Sequence, residues 1–559
     1  MDSSSTDNKI WGRSAFIQLL KDEGVTDMFG NPGTTELPIM HALADHPDMN
    51  YTLALQEALV VAMADGYSRA SGKLVACNVH VAPGLGNALG SLYNAKFTGT
   101  PLILTAGQQE QGHGLTEPVL YDELVPMAKP LVKWAVEVTR LEDLPRIMHR
   151  AAKVAMTPPM GPVFLSLPGD ILNAEAGLDL GAATRVDTRT RPSDGLLEDL
   201  AKRILAAENP VVIVGDELVK SDALQEAADF ATALGAPVYQ QSAPYGSHFL
   251  SEHPCFLGAL ERSQKVVRDA LAPYDLMFAL GSDPLTMSVF SEIDPLPEGM
   301  SIVQLGLNEW AMGKNYAVEI AALGDPKTSL PPLTETLNRL GGDAQAARAK
   351  AGVEALADKN WSARRARLID ELSGDNGPMP INPRNLAFMI SECVPDDVVI
   401  VNEALTSGRL LDQLIPSRDR FAYHALASGG IGWGLPAAVG VQIAQPDRPV
   451  VAVIGDGSSM YSIQALWTAA HKKLPLTYII ANNGGYRIIK QRLKSFHKSE
   501  NYIAMDFVDP PIDFVEVAQG MGVTAQRITD PADFRPALKA AIANTDGPNL
   551  IEVVVDGTV

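Results

Sequence analysis

The 559-residue chain has few cysteines and no long apolar run. Its three cysteines, Cys77, Cys255 and Cys393, are widely spaced and form neither a CxxC pair nor a disulfide framework, which fits a reducing cytoplasm. No stretch approaches the roughly 20 consecutive apolar residues of a membrane span. The polar N-terminus also lacks the apolar core of a signal peptide. The few, widely spaced cysteines predict a cytoplasmic protein, and the lack of a long apolar run predicts that it has no membrane partner.

Positive charge is also scarce, since 45 Lys and Arg residues stand against 66 Asp and Glu, for a formal net charge of −21. Nucleic acids and anionic membrane surfaces both require clustered basic residues, so we expect neither as a partner. The remaining composition, 46% hydrophobic and 20% charged, is typical of globular proteins. Because the chain is too long for one core, several domains are expected.

Short β-branched runs alternate with longer amphipathic stretches, which is the pattern of parallel α/β sheets. Three such blocks predict three domains, each an open, mostly parallel sheet flanked by helices, over residues 1–185, 195–340 and 377–559. A Pro-, Thr- and Arg-rich passage near 182–195 predicts a linker. The charged, alanine-rich segment 341–376 has helical propensity and is expected to link the central and C-terminal domains.

Two apolar strands of the last block end in polar turns. "VVAVIGDG" ends in a Gly-Asp-Gly turn around Asp456, and "LPLTYIIANNGG" ends in Asn482 and Asn483. Ligands bind at the carboxyl ends of strands in open α/β sheets, and Mg²⁺ or Ca²⁺ prefers carboxylate and amide oxygens. The glycines admit backbone amides to a phosphate, and a helix expected from near Tyr461 adds its positive end. Each turn alone is most often an ordinary loop, but together they predict a metal–diphosphate clamp.

This arrangement, GDG followed after about 26 residues by NN, resembles the cofactor motif of thiamine-diphosphate-dependent enzymes. The resemblance implies that Asp456, Asn483 and the carbonyl of Gly485 hold Mg²⁺ (or Ca²⁺). It further implies a set of residues that contact the cofactor: Glu57, Thr406, Ser407, Gly429, Ile431, Asp456, Gly457, Ser458, Ser459, Asn483, Gly485, Tyr486 and Ile488.

Two further stretches carry the resemblance. "LALQEALVVAMADGY" supplies Glu57 in an apolar context, where a carboxylate is costly, although alone it is consistent with a solvated helix residue. The family needs such a glutamate against the cofactor's pyrimidine ring. "ALASGGIGWGLPAAVG" supplies Ile431 to support the bent cofactor and Gly429 to accept from the aminopyrimidine. Thr406 and Ser407 fall where the family contacts the diphosphate, although a helix N-cap is an equally good explanation.

Along nearly the whole chain, the motifs are similar to those of benzoylformate decarboxylases and their relatives. The stretches "FGNPGTTELP", "HVAPGLGNALG", "GPVFLSLP" and "NNGGY" carry this similarity, which is stronger in the outer domains than in the central one. It implies that His80 transfers protons, although a lone histidine after an apolar strand is more often structural. Thr34 takes the place of a serine that binds the substrate carboxylate, with Thr35 as the alternative. The implied catalytic residues are thus Glu57, His80 and Thr34.

The chain departs from that group in its central domain and in one helix. Residues 281–300 contain no histidine, whereas the group has a second active-site histidine there. The stretch "YRIIKQRLKSFHKSENY" is far more basic than the aromatic-rich helix of the group, so Arg487, Lys490 and Arg492 form either a solvated face or an acid-binding one. The substrate pocket is expected to contain Thr34, Thr35, His80, Met287, Ile488 and Ile489.

Two other histidines, His424 and His497, are reserve candidates for proton transfer, although each is more often structural. FAD is not expected, because "VVIVGDELVKSD" has no GxGxxG-type glycine cluster. Family active sites combine Glu57 of one subunit with the metal clamp of another, so the resemblance implies at least a homodimer and favours a tetramer.

The resemblance implies non-oxidative decarboxylation of a 2-oxo acid to an aldehyde and CO₂, with carboligation as a side activity. The alternative is an acetolactate-synthase-like carboligase or a lyase of 2-hydroxy ketones, which the missing histidine favours. A non-catalytic binding protein is the remote alternative, against which the joint presence of Glu57, Asp456 and Asn483 argues.

Overall fold

The computed structural model describes residues 9–287, 289–374, 377 and 379–559, so the first eight residues of the polar N-terminus lie outside it. Three six-stranded sheets organise the chain, and every strand pair within them is parallel. Helices pack on these sheets, as buried parallel sheets require. The expected architecture of three α/β domains is confirmed, while the boundaries between them stay predictions. No helix among the described residues is long and apolar enough to cross a membrane.

The N-terminal domain contains a six-stranded sheet of order β3-β2-β4-β5-β7-β6 and an antiparallel pair, β1 with β8. Its strands are β1 Lys9–Trp11, β2 Asp27–Gly30, β3 Asn50–Leu53, β4 Val75–Val79, β5 Leu102–Gln108, β6 Trp134–Glu137, β7 Val163–Pro168 and β8 Glu175–Gly177. Its helices are α1 Gly12–Asp22, α2 Leu37–Leu43, α3 Glu57–Ser71, α4 Val81–Thr98, α5 Gln111–Gly114, α6 Leu124–Ala128, α7 Leu144–Met156 and α8 Gly169–Leu172. A 3₁₀ turn, Thr34–Glu36, follows β2 and leads into α2.

The central domain has strand order β11-β10-β9-β12-β13-β14. Its strands are β9 Pro210–Val214, β10 Val238–Gln240, β11 Phe256–Ala259, β12 Leu276–Leu280, β13 Ser301–Gly306 and β14 Ile320–Leu323. The helices that follow residue 190 are α9 Asp194–Ala206, α10 Glu217–Lys220, α11 Leu224–Leu234, α12 Gln264–Leu271, α13 Pro326–Leu356 and α14 Trp361–Leu372. Helix α13 is kinked at Gly342, and beyond the kink Gln345 donates to the backbone of α11, so this segment packs on the central domain.

The C-terminal domain has strand order β16-β15-β17-β18-β20-β19. Its strands are β15 Val399–Glu403, β16 Tyr423–Ala425, β17 Val450–Gly455, β18 Leu476–Asn482, β19 Thr524–Ile528 and β20 Asn549–Val554. Its helices are α15 Pro383–Cys393, α16 Leu411–Leu414, α17 Gly434–Ala444, α18 Asp456–Ser459, α19 Ala465–His471, α20 Arg487–His497, α21 Phe514–Gly520 and α22 Pro531–Ala543.

The N- and C-terminal sheets share one topology, because in both the second strand lies at one edge and the fifth at the other. The equivalent helices α3 and α17 follow these second strands and pack against each other. Glycines permit the close crossing: a Cβ on Gly440 would lie 1.9 Å from the Met63 carbonyl oxygen, and one on Gly66 would lie 2.3 Å from that of Ala437. One apolar core therefore runs continuously through both domains.

This crossing makes Gly440→Ala destabilising. Because the obstructing atom belongs to the backbone of a buried helix, the added methyl group forces the helices apart, at a cost of about 1–3 kcal/mol in the free energy of unfolding. Urea denaturation gives the measurement. Gly90→Ala in α4 is the matched control, since nothing lies within 4 Å of its added Cβ, and a higher helix propensity is then its main effect. Equal midpoints for Gly440→Ala and the wild type would contradict the tight crossing.

Candidate active site

The two polar turns of the C-terminal domain meet in space. Strands β17 and β18 are parallel neighbours, so their carboxyl ends lie at the same edge of the sheet. The Asp456 Oδ2 atom accepts from the backbone amides of Asn483 at 3.2 Å and Gly485 at 3.0 Å. Its Oδ1 atom accepts from the amide of Gly457 at 2.9 Å. The Asp456 carboxylate thus joins the GDG turn to the NNGG turn directly.

This junction suits a divalent cation. Asp456 is only 2% exposed, and burial raises the pKa of its carboxyl while the backbone amides oppose that shift; a bound cation would favour the charged form further. Among the described residues, no hydrogen bond uses the Asn483 side chain, so its amide oxygen is available. The Gly485 carbonyl accepts from the Arg487 amide at 3.0 Å and keeps a second lone pair. These are hard oxygen donors of the kind that Mg²⁺ and Ca²⁺ prefer. The described residues contain no cluster of three His, Cys, Asp or Glu side chains that would offer another metal site.

The loop after β15 borders the same edge, because Glu403 of β15 pairs with Ile454 of β17. In that loop the Ser407 hydroxyl is buried and has no hydrogen-bond partner among the described residues. An orphaned buried hydroxyl costs about 1–3 kcal/mol, and a diphosphate oxygen would satisfy it. Neither Thr406 nor Ser407 is a helix N-cap, since α16 begins only at Leu411.

The expectation of a helix from near Tyr461 is wrong. Helix α18 is a single turn, and α19 begins only at Ala465. Between them the amides of Tyr461 and Ser462 bond to carbonyls three residues earlier, which produces successive turns instead of an α-helix. Ser458 lies within α18 next to Glu403, and the Ser459 hydroxyl donates to the Gly455 carbonyl at 2.9 Å.

A buried glutamate that sequence reasoning missed, Glu403, fixes the loop that contains Gly429 and Ile431. Its side chain is 1% exposed and accepts from the backbone amides of Gly432, at 2.6 Å, and Gly434. Burial raises the pKa of Glu403 to about 7. Gly429 has φ +82° with open space around it, and Ile431 is half-buried in the same loop. The only sequence signal for Glu403 is an acidic residue at the end of an apolar strand.

His80 lies at the end of β4, directly before α4, and a second missed glutamate orients it. Its Nδ1 atom is 2.8 Å from Glu36 Oε2 and 3.0 Å from the Thr35 hydroxyl. Glu36 is fully buried, and its two oxygens also accept from the backbone amides of Gly33 at 2.8 Å and Gly107 at 2.7 Å. The hydrogen bond to Glu36 raises the pKa of His80, although burial opposes the shift.

The backbone around His80 is tightly constrained. A Cβ on Gly33 would lie 2.2 Å from the imidazole ring, so this close approach requires glycine. Val81 has φ +41°, a left-handed conformation that costs a β-branched residue about 1–3 kcal/mol. Such strain persists where surrounding structure enforces it, commonly at functional sites.

Glu57 begins α3 and lies close to His80. A Cβ on Gly84 would be 3.1 Å from Glu57 Oε1 and 3.4 Å from the Cβ of His80, so both side chains flank the first turn of α4. Asn87 donates to Glu57 Oε2 at 3.1 Å. The negative charge of Glu57 also contributes to the raised pKa of His80. The N-terminal domain therefore brings a carboxylate and an imidazole together at one edge of its sheet.

The predicted substrate residues are dispersed. Thr34 and Thr35 both border a cleft of about 650 Å³ on the N-terminal domain; Thr34 is exposed, and Thr35 also contacts His80. Ile488 borders a second cleft, of about 1090 Å³, between the central and C-terminal domains. Ile489 is 46% exposed outside that cleft, and Met287 packs against the central core.

Three further predicted residues have clear positions. The Tyr486 ring covers the GDG turn, because a Cβ on Gly457 would lie 2.7 Å from it. His424 is buried in β16, where burial lowers its pKa to about 3. His497 lies exposed at the end of α20. Neither histidine adjoins the Glu57–His80 pair through any hydrogen bond among the described residues.

The switch point of the central sheet is filled by a side chain. Strand β9 is followed by Glu217, whose carboxylate accepts from the Leu307 amide at 2.6 Å. A Cβ on Gly306 would be 2.6 Å from the same carboxylate. An acidic group at this position opposes the pyrophosphate of a dinucleotide, which binds at this crevice in doubly wound folds.

Three parallel α/β domains, with oxygen donors gathered around Asp456 on one and the Glu57–His80 pair on another, form the arrangement expected of a cofactor-dependent enzyme. The family model for the C-terminal TPP binding domain of thiamine pyrophosphate enzymes matches residues 407–553, that for the N-terminal TPP binding domain matches 10–120, and that for the central domain matches 197–333. The chain belongs to the thiamine pyrophosphate enzyme family.

Full-length relatives include two kinds of enzyme. Benzoylformate decarboxylase of Pseudomonas aeruginosa is 34% identical, over 97% of this chain and 98% of the relative. The large subunit of acetolactate synthase isozyme 2 of Escherichia coli is 28% identical, over 98% and 95%. Among solved structures, the benzoylformate decarboxylase of Polynucleobacter necessarius superposes with a TM-score of 0.86 at 31% identity, covering 98% of this chain and 99% of that one. The 4-hydroxybenzoylformate decarboxylase of Rhodococcus jostii RHA1 gives 0.83 at 31%, with the same coverage.

Proposed function

We propose that the chain decarboxylates a 2-oxo acid of the benzoylformate type, without oxidation, to an aldehyde and CO₂. The observation that carries this proposal is the convergence of Glu57 and a Glu36-oriented His80 on the first turn of α4. A carboxylate and an imidazole of raised pKa are the groups needed to move protons at a reacting centre. The likeness to benzoylformate decarboxylases along the whole chain supports the same reaction.

The residues divide into those that hold the cofactor and those that move protons. Asp456, Asn483 and the Gly485 carbonyl would hold Mg²⁺ or Ca²⁺, and Ser407 with the GDG turn would hold the diphosphate. When bound, thiamine diphosphate supplies the electron sink that loss of CO₂ requires. Glu57 would hydrogen-bond the pyrimidine ring. His80 would give or take a proton at Nε2, because Glu36 occupies its Nδ1.

A carboligase or 2-hydroxy-ketone lyase is the second candidate. One observation favours it: residues 281–300 contain no histidine, so no imidazole from that segment can assist release of the aldehyde. Similarity to acetolactate synthase subunits is compatible with this alternative.

The active site is proposed to form between two copies of the chain. The Glu57–His80 pair belongs to the N-terminal domain and the Asp456 clamp to the C-terminal domain, and no hydrogen bond among the described residues joins the two sets. A second copy would bring one set against the other, which makes a homodimer the minimum and a tetramer the expected assembly. The three unpaired cysteines support a cytoplasmic enzyme.

The direct test is CO₂ release from a panel of aliphatic, branched, indolyl and aryl 2-oxo acids. We expect release that requires both added thiamine diphosphate and Mg²⁺, with equimolar aldehyde as the product. The control omits the cofactor after exhaustive dialysis against a chelator. Cleavage of a 2-hydroxy ketone, without CO₂ from any 2-oxo acid, would instead establish the lyase alternative.

A further inference from the structure

Five arginines line the cleft between the central and C-terminal domains: Arg262, Arg364, Arg365, Arg409 and Arg492. Arg262 follows β11, Arg409 follows β15, and Arg487 and Arg492 lie on α20. The cleft has a volume of about 1090 Å³. Arg262, Arg409 and Arg492 are called the arginine cluster below; Arg487 stands beside it and donates to the Thr558 carbonyl at 3.0 Å.

The arginine cluster has only weak partners: the Arg409 Nε atom donates to the Leu405 carbonyl at 3.2 Å, and the Arg492 guanidinium lies over the Phe496 ring at 5.8 Å. Within the described part of the chain, none of its three members forms an ion pair with a carboxylate, although acidic residues outnumber basic ones by 66 to 45. Other cations at the same cleft are engaged: Lys265 pairs with Asp269 at 2.6 Å, and Arg365 donates to the Leu414 carbonyl at 2.7 Å.

Three acidic groups line the cleft: Glu261, Asp412, and Glu403, whose carboxylate already accepts from the backbone amides of Gly432 and Gly434. Glu261 makes no ion pair with any described residue. Burial raises the pKa of Asp412 to about 7, so this carboxyl is largely uncharged below neutral pH. Burial and the like charges of Arg262, Arg492 and Arg487 lower the pKa of Arg409, and the negative charge of Glu261 opposes that shift. Like charges gathered in a concave site repel each other, and an anion would relieve that repulsion.

The cluster lies one helical turn beyond the expected substrate contact. Ile488 and Arg492 are four residues apart on α20, so they share one face of the helix, and both line the cleft. Gln491 and Ser495 extend the same face. Leu405, in the loop after β15, also lines the cleft. A substrate whose 2-oxo acid group contacts Ile488 would therefore place its opposite end near the guanidinium groups.

We propose that the arginine cluster binds an oxyanion, a carboxylate or a phosphoryl group, at the far end of the 2-oxo acid. The planar fork of arginine matches both groups with paired hydrogen bonds. This inference rests on the proposed function and narrows it: the preferred substrates carry a second anionic group, distal to the 2-oxo acid.

The test compares matched substrates on the holoenzyme saturated with thiamine diphosphate and Mg²⁺. The pairs are 2-oxoadipate with 2-oxohexanoate, and 4-phosphonooxybenzoylformate with benzoylformate. We expect a wild-type kcat/KM that is higher for the anionic member of at least one pair. Arg409→Gln and Arg492→Gln should each lower that ratio about tenfold, the effect of one charge-assisted hydrogen bond. Lys265→Gln, at the same cleft but already paired with Asp269, should leave the ratio unchanged.

Three results would overturn the inference. The first is an unchanged ratio in both arginine variants. The second is a raised half-saturating concentration of thiamine diphosphate in the arginine variants with no change in the ratio of kcat/KM values. The arginines would then bind the cofactor's diphosphate. The third is activation of benzoylformate turnover by inorganic phosphate, which would indicate an effector site; competition by phosphate with the anionic substrate supports the proposal.

Failure of the proposed decarboxylase function can be distinguished from failure of the proposed anion site. If no 2-oxo acid releases CO₂, calorimetry on the holoenzyme still compares its affinities for 2-oxoadipate and 2-oxohexanoate. Tighter binding of 2-oxoadipate that is lost in the Arg409→Gln, Arg492→Gln double variant supports the anion site. Equal affinities in the wild type overturn it.

Discussion

Glu57→Gln is expected to lower kcat for CO₂ release about 10²- to 10⁴-fold, the range of a lost general acid–base group. The glutamine side chain has nearly the same shape, so the contact with Asn87 at 3.1 Å can persist. A carboxamide, however, cannot exchange a proton with the pyrimidine ring. The loss should therefore appear in kcat, while the folded structure is retained.

The measurement is steady-state CO₂ release at saturating thiamine diphosphate, with cofactor affinity determined separately by fluorescence titration. Glu142→Gln makes the same chemical change on an exposed side chain of the same domain and should behave as the wild type. Wild-type turnover by Glu57→Gln would overturn the assigned chemistry. A loss confined to cofactor affinity would limit Glu57 to binding.

The interior strands were predictable and the edge strands were not. Strands β5, β7 and β17 are continuous apolar runs because both faces of a parallel sheet are covered. The edge strand β3, Asn50–Leu53, is short and only partly buried, and the edge strand β16, Tyr423–Ala425, has three residues. Such segments have no periodic apolar signal, and the neighbouring strand determines that they form.

Part of the candidate site could likewise be predicted from the sequence, and part could not. The meeting of Asp456 with the NNGG turn follows from the ends of two predicted strands, so sequence reasoning could anticipate it. The buried carboxylates Glu36 and Glu403 could not be anticipated, because their donors come from distant segments. The Gly107 amide, 71 residues from Glu36, is one such donor, and the amides of Gly432 and Gly434, 29 and 31 residues from Glu403, are others.

The choice between the two threonines also depended on three-dimensional structure. Thr34 and Thr35 occupy successive positions of a 3₁₀ turn, so they point in different directions. Only Thr35 faces His80, at 3.0 Å. The similarity to a family motif placed the substrate contact at Thr34, and the geometry gives Thr35 the closer relation to the imidazole.

Glu36→Gln is expected to lower kcat/KM about 10²-fold at pH 8, near the low end of the range for a general acid–base group. Both Glu36 oxygens accept from backbone amides. In glutamine one of these oxygens is replaced by an NH₂ group, which cannot accept, so one backbone N–H would lose its partner. His80 would also lose the carboxylate that raises its pKa above the ordinary value of 6.5, while the burial that lowers its pKa remains. Its pKa in the variant should therefore fall below that of the wild type, although the charge of Glu57 still favours the protonated imidazole.

The sign of the pH dependence follows from that change. A step that needs protonated His80 loses rate as the pH rises through the pKa of the imidazole, which Glu36 holds above 6.5 in the wild type. The alkaline limb of kcat/KM should move to lower pH in Glu36→Gln. Glu23→Gln is the matched control, because Glu23 is a buried partner that likewise helps to raise the pKa of a histidine, His149, which makes no hydrogen bond to His80 among the described residues. It should reduce stability without moving the limb; an unmoved limb in Glu36→Gln would show that His80 does not transfer the proton.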